Sequence, residues 1–353
     1  VSTQRGHSGE PTIVDVAAEA RVSRSTAGRA LSGHPAVDPR TREQVLEAAA
    51  RLSYRVNPAA RALRRGSSQL IGLIVTNLVN ASIQTLVESI HEHAHAAGFQ
   101  VLMAVTNGDA DRERDVLTAL ADHRVAGIVV MSSSSEPEQL HQLEEQGISI
   151  VDVIRRPPGI RTALVLNDDR AGAIAATEHL VGLGHRDIAF IGGPTAIQSG
   201  AERFAGYRTV LEAHDISLND AIVWHGPFLP EWGAETAEQL FDSLESCTAL
   251  LVTNHEAMFG VLNVAAQRGL AIPEELSLVG FEDAPLFRYW HPAITVVDTD
   301  PGSLAAEAWG SLAAAMEDAG QRGSHKVVPA HLIVRDSSAG PRGRGAKAER
   351  SPS

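Results

Sequence analysis

The sequence predicts an α/β protein in which a small all-α N-terminal head precedes a core of two doubly wound parallel-sheet subdomains. Three observations carry this. Apolar residues between Thr12 and Tyr54 recur at helical spacing in three short, separately capped pieces. After Gly66 the pattern changes to short apolar runs alternating with helical stretches, which marks βαβ units and parallel sheets covered on both faces. The alternation yields nine or more strands, a number that two sheets facing across a cleft divide better than one.

In the head, Thr12 with Asp15 three residues on makes a first N-cap. Ser23 makes a second, and Asp38-Pro39 a third with proline at the first helical position. The helices expected lie near 13–20, 24–31 and 39–53. Val16, Ala17 and Ala20 form the inner face of the first, Val22 fills the turn, and Ala27, Ala30 and Leu31 pack the second back onto it. This is helix-turn-helix spacing. With Ser23 as the cap, Arg24, Ser25 and Arg29 project from the start of the second helix, with Thr26 among them. Arginine matches guanine O6 and N7 with two hydrogen bonds, and serine suits several bases or a phosphate.

The segment 57–66 follows, with Asn57 as cap, Pro58 in the first turn and room for two helical turns. An isolated helix of fewer than ~12 residues is marginal in water, so this one should gain order on docking. Leu63 stands among Arg61, Arg64 and Arg65, as an apolar wedge for a minor groove would. An ordinary linker helix with Leu63 turned toward the core is the alternative at this point.

The core divides into two series. Strands are expected at Leu70–Val75, Val101–Val105, Gly127–Met131 and Ile148–Val153, with helices near 82–97, 110–122 and 136–146. A second series has strands at Ala163–Leu166, Asp187–Gly193, Ala221–Trp224, Ala249–Thr253 and Ser277–Phe281, with helices near 170–183, 198–214, 231–244 and 255–268. Clefts between such sheets take ligands at the carboxyl ends of the strands.

Charge separates head from core. The chain carries a net −13, yet residues 1–66 hold 11 Arg, no Lys and six acids, a formal +5, which leaves −18 on the other 287. A basic end on an acidic body fits one end meeting phosphates. The apolar fraction, 44%, is that of an ordinary soluble protein, and no run approaches a bilayer span. Val1–Glu10 lacks a secretory apolar stretch and Cys247 is the sole cysteine, so no internal disulfide forms and the chain reads as cytoplasmic.

The stretch 12–75, which passes through Arg64-Arg65-Gly66-Ser67-Ser68-Gln69 into Leu70–Val75, resembles the LacI/GalR (lactose-repressor/galactose-repressor) family. The similarity continues through Asn167-Asp168-Asp169-Arg170, His179–Arg186, Ile188–Pro194, Glu202-Arg203-Phe204-Ala205-Gly206-Tyr207 and Val279-Gly280-Phe281-Glu282-Asp283. It covers roughly residues 12–336, and ordered signatures over that span are more specific than any single motif. The resemblance implies a periplasmic-binding-protein-like core that forms a homodimer and a head that reads pseudo-palindromic double-stranded operator DNA. It also implies transcriptional repression under a small carbohydrate-class effector, with neither cofactor nor membrane partner.

Carried onto this chain, the resemblance gives 1–10 as disordered, 11–56 as the DNA-binding domain, 57–66 as a hinge helix, 67–336 as the core and 337–353 as a disordered tail. The N-subdomain would take about 67–164 and 296–322, the C-subdomain about 165–295 and 323–336. Ser23, Arg24, Ser25, Thr26 and Arg29 would read the major groove. Asn57, Ala60, Arg61, Leu63 and Arg64 of paired hinges would serve the minor groove. The effector would meet Asn80, Asp152, Arg203, Phe228, Asn254 and Glu282, a set whose carboxylates and amides pair with vicinal hydroxyls while the ring covers an apolar face.

The chain also departs from the family. Arg21 stands where the turn usually has glycine, and Gly28 lies inside the second helix, where glycine costs about 1 kcal/mol against alanine. Asn80-Ala81-Ser82-Ile83 replaces an aromatic floor, Asn254-His255 replaces an Asn-Asp pair, and Glu282 replaces an aspartate.

Two other classes deserve weighing. An enzyme would need more than His91, Glu92, His93 and His95, where two histidines share a helix face with no fixed ligand set, or than Ser132–Ser135, a polar loop without a base at defined spacing. Gly192-Gly193-Pro194 is not a dinucleotide fingerprint. A solute-binding transport protein fits the body but not the basic head.

Overall fold

The computed structural model describes residues 11–32, 34, 36–54, 68–133, 137–155, 159, 161–243, 247–318, 320 and 322–341. The chain falls into two compact units, Val1–Gln69 and Leu70–Ser353.

The first unit contains three helices, α1 (Ile13–Glu19), α2 (Arg24–Leu31) and α3 (Pro39–Arg51). Each begins as its cap dictates. Thr12 N donates to Asp15 Oδ2 at 2.7 Å, Thr26 N to Ser23 Oγ at 3.0 Å, and Arg40 N to Asp38 Oδ1 at 3.0 Å. Val16, Ala27, Val45 and Ala48 are fully or almost fully buried and make the centre of a small core. The small residues let the helices cross closely, and Glu19 on α1 pairs with Arg51 on α3 at 3.2 Å. Arg21, in the turn, takes a left-handed backbone with φ 54°, the strained conformation its replacement of a glycine implied.

The second unit holds two six-stranded sheets. The first half contributes β1 (Leu70–Val75), α4 (Ala81–Ala96), β2 (Gln100–Val105), α5 (Ala110–Asp122), β3 (Gly127–Val130), α6 (Pro137–Glu145), β4 (Ser149–Val153) and β5 (Ala163–Asn167). The chain then crosses to α7 (Asp169–Gly182), β6 (Ile188–Gly192), α8 (Gln198–Ala213), β7 (Val223–His225), α9 (Pro230–Asp242), β8 (Ala249–Val252), α10 (His255–Arg268), β9 (Ser277–Phe281), α11 (Pro285–Tyr289) and β10 (Thr295–Asp298). It returns as α12 (Pro301–Glu317) and β11 (His325–Val328), and ends with β12 (His331–Ile333). The orders are β11-β5-β4-β3-β1-β2 and β12-β10-β9-β8-β6-β7. Every pairing is parallel except β10 with β12. Central strands are buried on both faces, as continuous apolar runs such as Ile188–Gly192 require.

The elements anticipated before residue 285 fall within two residues of those found, but three boundaries move. β5 lies wholly in the first sheet, with Val151 opposite Ala163, and β10 lies wholly in the second, with Thr295 opposite Val279. β11 pairs with β5 in the first sheet, His325 opposite Leu164, whereas the sequence reading gave 323–336 to the second subdomain. Apolar pattern identifies a strand but carries no label for the sheet it joins.

The tail also begins later than expected. Ser337 is fully buried and its hydroxyl bridges Leu278 O (2.6 Å) and Thr295 N (2.8 Å); Ala339 exchanges hydrogen bonds with the Ser277 hydroxyl. These backbone groups reach partners that a polar, aperiodic sequence does not announce. No helix among the described residues is long and apolar enough to cross a membrane.

Candidate functional site

In the first unit, the start of α2 is the surface of interest. The Ser23 and Thr26 hydroxyls lie 2.8 Å apart and are engaged with each other in the cap, while Arg24, Ser25 and Arg29 stand exposed on the same turn and the next. Ala27, Gly28 and Ala30 occupy the opposite, buried side. The geometry therefore separates the five anticipated residues into two that build the helix end and three that are presented by it. Asn57, Ala60, Arg61, Leu63 and Arg64 lie outside the described residues.

In the second unit, the carboxyl ends of the two sheets face across a cleft holding about 640 Å³ of open, solvent-connected space. Asn80, Arg203, Phe228, Asn254 and Glu282 all line it. Asn80 and Asn254 are there as N-caps, of α4 through Ile83 N (3.0 Å) and of α10 through Ala257 N (2.9 Å). The spare amide of each turns to a carboxylate. Asn254 Nδ2 donates to Glu256 Oε2 at 2.9 Å, and Asn80 Nδ2 reaches Glu282 Oε2 at 3.5 Å. Phe228 lies against Gly193, where a Cβ would run into its ring, while a Cβ at Gly192 would meet the core ring of Phe190, so two different rings explain the Gly192-Gly193 pair. Similarly, a Cβ at Gly260 on α10 would meet Pro230 O on α9, so the cap of α10 is held by helices in backbone contact.

The charged centre is a buried chain of four groups. Arg203 Nε donates to Asp169 Oδ1 at 2.7 Å and Nη1 to Thr253 O at 2.5 Å, and its Nη2 lies 3.6 Å from Glu282 Oε1. Its guanidinium also sits 4.6 Å from the centre of the Phe281 ring. Glu282 Oε2 pairs with His255 Nδ1. Burial alone would raise the Glu282 carboxyl, but His255 and Arg203 outweigh it and hold the group at about 2. Burial would lower His255; Glu282 instead raises it, so the imidazolium is favoured. Burial raises Glu256, against the Asn254 hydrogen bond, and raises Asp169 against Arg203.

Asp152 is placed elsewhere. It is fully buried within β4, accepts from Thr162 Oγ1 at 3.0 Å and is absent from the cleft lining. Burial pushes it up to about 7, against hydrogen bonds from Ser132 and Thr162. The reason is local. After Val153 the backbone turns through Ile154 at φ 67°, and Ile154 and Arg155 reach the cleft in its place. Arg155, Asn167, Asp169 and Glu256 escaped the sequence reading. Asp169 and Asn167 were within a quoted motif, and Glu256 stands two residues past a cap, whereas nothing marks Arg155 without the turn. Among the described residues no group of three or more His, Cys, Asp or Glu is disposed to hold a metal ion.

Comparison with known proteins places these features. The profile of "Bacterial regulatory proteins, lacI family" matches residues 12–57, and that of "Periplasmic binding protein-like domain" matches 177–338. The HTH-type transcriptional regulator AscG of Escherichia coli (strain K12) is 31% identical over 335 residues, covering 94% of this chain and 99% of the relative. Among solved structures, a complex of the transcriptional regulator CelR with cellobiose superposes with a TM-score of 0.70 at 26% identity, covering 93% of this chain and 100% of that one. The lac repressor dimer bound to operator and the anti-inducer ONPF gives a TM-score of 0.80 at 24% identity, over 94% of this chain and 100% of that one, a likeness of fold.

Proposed function

Because the chain belongs to the LacI family of DNA-binding transcription regulators and is not an enzyme, we propose that it represses transcription as a homodimer. In this reading it binds a pseudo-palindromic operator and is controlled by a carbohydrate-class ligand in the cleft. The observation that carries the reading is the end of α2, where a Ser23–Thr26 cap leaves Arg24, Ser25 and Arg29 exposed on a unit rich in arginine. Capped helix starts with projecting arginines suit guanine edges in the major groove, and a two-fold pair of such helices reads two half-sites. The hinge roles of Asn57, Ala60, Arg61, Leu63 and Arg64 belong to the same proposal.

The ligand assignment is supported by the cleft. Its lining mixes amides, carboxylates and one aromatic wall, a composition suited to a polyol. CelR is described with cellobiose bound in its structure. Coupling between ligand and operator would be ~1–3 kcal/mol, a five- to 150-fold change in operator affinity.

Selection of bound sequences from random duplex DNA, with and without a panel of mono- and disaccharides, tests this. A pseudo-palindromic site should emerge, its affinity should fall steeply with salt as phosphate contacts release counterions, and one sugar should shift it. No preference for any site over scrambled competitor would defeat the proposal.

A further inference from the structure

The proposal that the cleft binds a carbohydrate-class ligand leaves its charge open, and two walls of the cleft treat charge differently. β4 and β9 hold the same place in the two sheet orders, and each is followed by a residue with positive φ and a tight backbone turn, the turn lying one residue later after β9 than after β4. At the end of β9, Glu282 N donates to Val297 O on the neighbouring strand, Glu282 has φ 66°, and Ala284 N turns back to Glu282 O at 2.8 Å. At the end of β4, Ile154 N donates to Val165 O at 2.9 Å, Ile154 has φ 67°, and Arg155 N turns back to Val153 O at 2.7 Å. A β-branched residue in the left-handed region costs on the order of 1–3 kcal/mol, and such strain persists where the surroundings enforce it, commonly at ligand clamps.

What the two turns present is opposite. Glu282 and Asp283 are acids already mated, the first by His255 and Arg203, the second by Arg335 and Arg288. Arg155 is a cation on the cleft lining whose guanidinium makes no hydrogen bond or salt bridge with any described residue. The acid acting on it is Glu113, whose Oε2 already accepts from Ser133 N at 2.6 Å. The other arginine of the lining, Arg203, has each of its three nitrogens engaged with a protein group and its charge met by Asp169 and Glu282. A partly buried guanidinium keeps its charge and presents a planar fork suited to two parallel hydrogen bonds with a carboxylate or phosphate. On the same lining, Asn167 Oδ1 is buried without a partner, a place for a ligand hydroxyl.

Resting on the carbohydrate reading, we infer that the ligand is an acidic one, a polyol bearing a carboxylate or phosphate that Arg155 receives while Asn167 takes a hydroxyl. The acids across the cleft leave room for it, since Glu282 is held by two cations and Glu256 accepts from Asn254.

Calorimetric titration of the full chain at fixed ionic strength tests this with matched triplets: glucose, galactose and mannose, their uronates, and their 6-phosphates, with inorganic phosphate alongside. In at least one series a charged member should bind ten-fold or more tightly than its neutral parent. The uronate and phosphate arms identify the anion. Arg155→Gln should abolish that preference while leaving the neutral sugar within two-fold, and Arg155→Lys should keep part of it. A neutral sugar that binds as tightly as its charged forms, or a preference that survives Arg155→Gln, overturns the inference and leaves the carbohydrate reading intact. Inorganic phosphate binding as tightly as the sugar phosphates, an adventitious ion only, overturns it too. Silence from every sugar, charged and neutral, removes the carbohydrate reading and the inference together.

Discussion

The two halves of the core share a strand order but handle buried charge in opposite ways. In the second half Asp169, Arg203, Glu282 and His255 neutralise one another inside the protein, so the Glu282 carboxyl falls to about 2. In the first half, Asp152 has the Thr162 hydroxyl and, among the described residues, no cation for a partner, and its carboxyl rises to about 7, while Arg155 stands half-buried on the lining. Electrostatic satisfaction makes one wall a fixed frame; on the other, Arg155 is left for the acidic ligand inferred above. The lesson is that equal topology does not impose equal chemistry, because side chains at equivalent strand ends are chosen separately.

The sharpest way to break this comparison is to remove one cation from each wall. Arg203→Met strands the buried Asp169 and takes one of two cations from Glu282, and should cost ~3–5 kcal/mol in urea unfolding of the core. Arg155→Met removes a charge that acts on the buried Glu113, which keeps its hydrogen bond from Ser133 N, and should cost no more than about 1 kcal/mol. Equal losses would end the contrast.

Acid titration comes next. Glu282 has its folded value depressed from 4.5 to about 2, so its contribution is present above 4.5 and is lost as pH falls through that window. About 3 kcal/mol is at stake at one pKa unit per 1.36 kcal/mol. Thermal unfolding between pH 5 and pH 2 should therefore flatten in Glu282→Gln. His255 is raised, so its share is present below 6.5 and is lost as pH rises through the folded value.

Asp152 tilts the other way. Its folded value is raised from 3.8 to about 7, so stability declines as pH climbs through that interval. Asp152→Asn should gain about 2 kcal/mol at pH 8 and nothing at pH 3, the extra amide protons offsetting part of the full effect. A loss at pH 8 would mean that the site prefers the ionised acid.

The head supplies a control without buried charge. Ser23→Ala should lower the protection of α2 amides in hydrogen exchange by ~1 kcal/mol, and Arg21→Gly should raise it by about 0.5 kcal/mol through relief of the left-handed backbone.

Much of the fold was legible because its signals are local. Caps at Thr12, Ser23 and Asp38 set helix starts within a residue or two, and uninterrupted apolar runs such as Leu70–Val75 suit a sheet covered on both faces. Five of six anticipated cleft residues gather there because the family resemblance supplied them: Asn80 and Asn254 stand at helix caps and Glu282 at a strand end, whereas Arg203 lies inside α8, where no local pattern marks it. What escaped depends on distance in sequence. Assigning β11 to the first sheet requires knowing that His325 meets Leu164, and exchanging Asp152 for Arg155 requires the left-handed Ile154, which a β-branched residue gives no reason to expect.

The last two strands have a consequence for genetics. β11 and β12 are three residues apart and edge different sheets, with β12 the sole antiparallel member. A stop codon near position 324 would spare over nine-tenths of the polypeptide yet uncover a flank on both halves at once. Nonsense alleles clustered there should behave as complete losses, and neither half can be expressed as one uninterrupted fragment, because each is assembled from segments lying on both sides of the other.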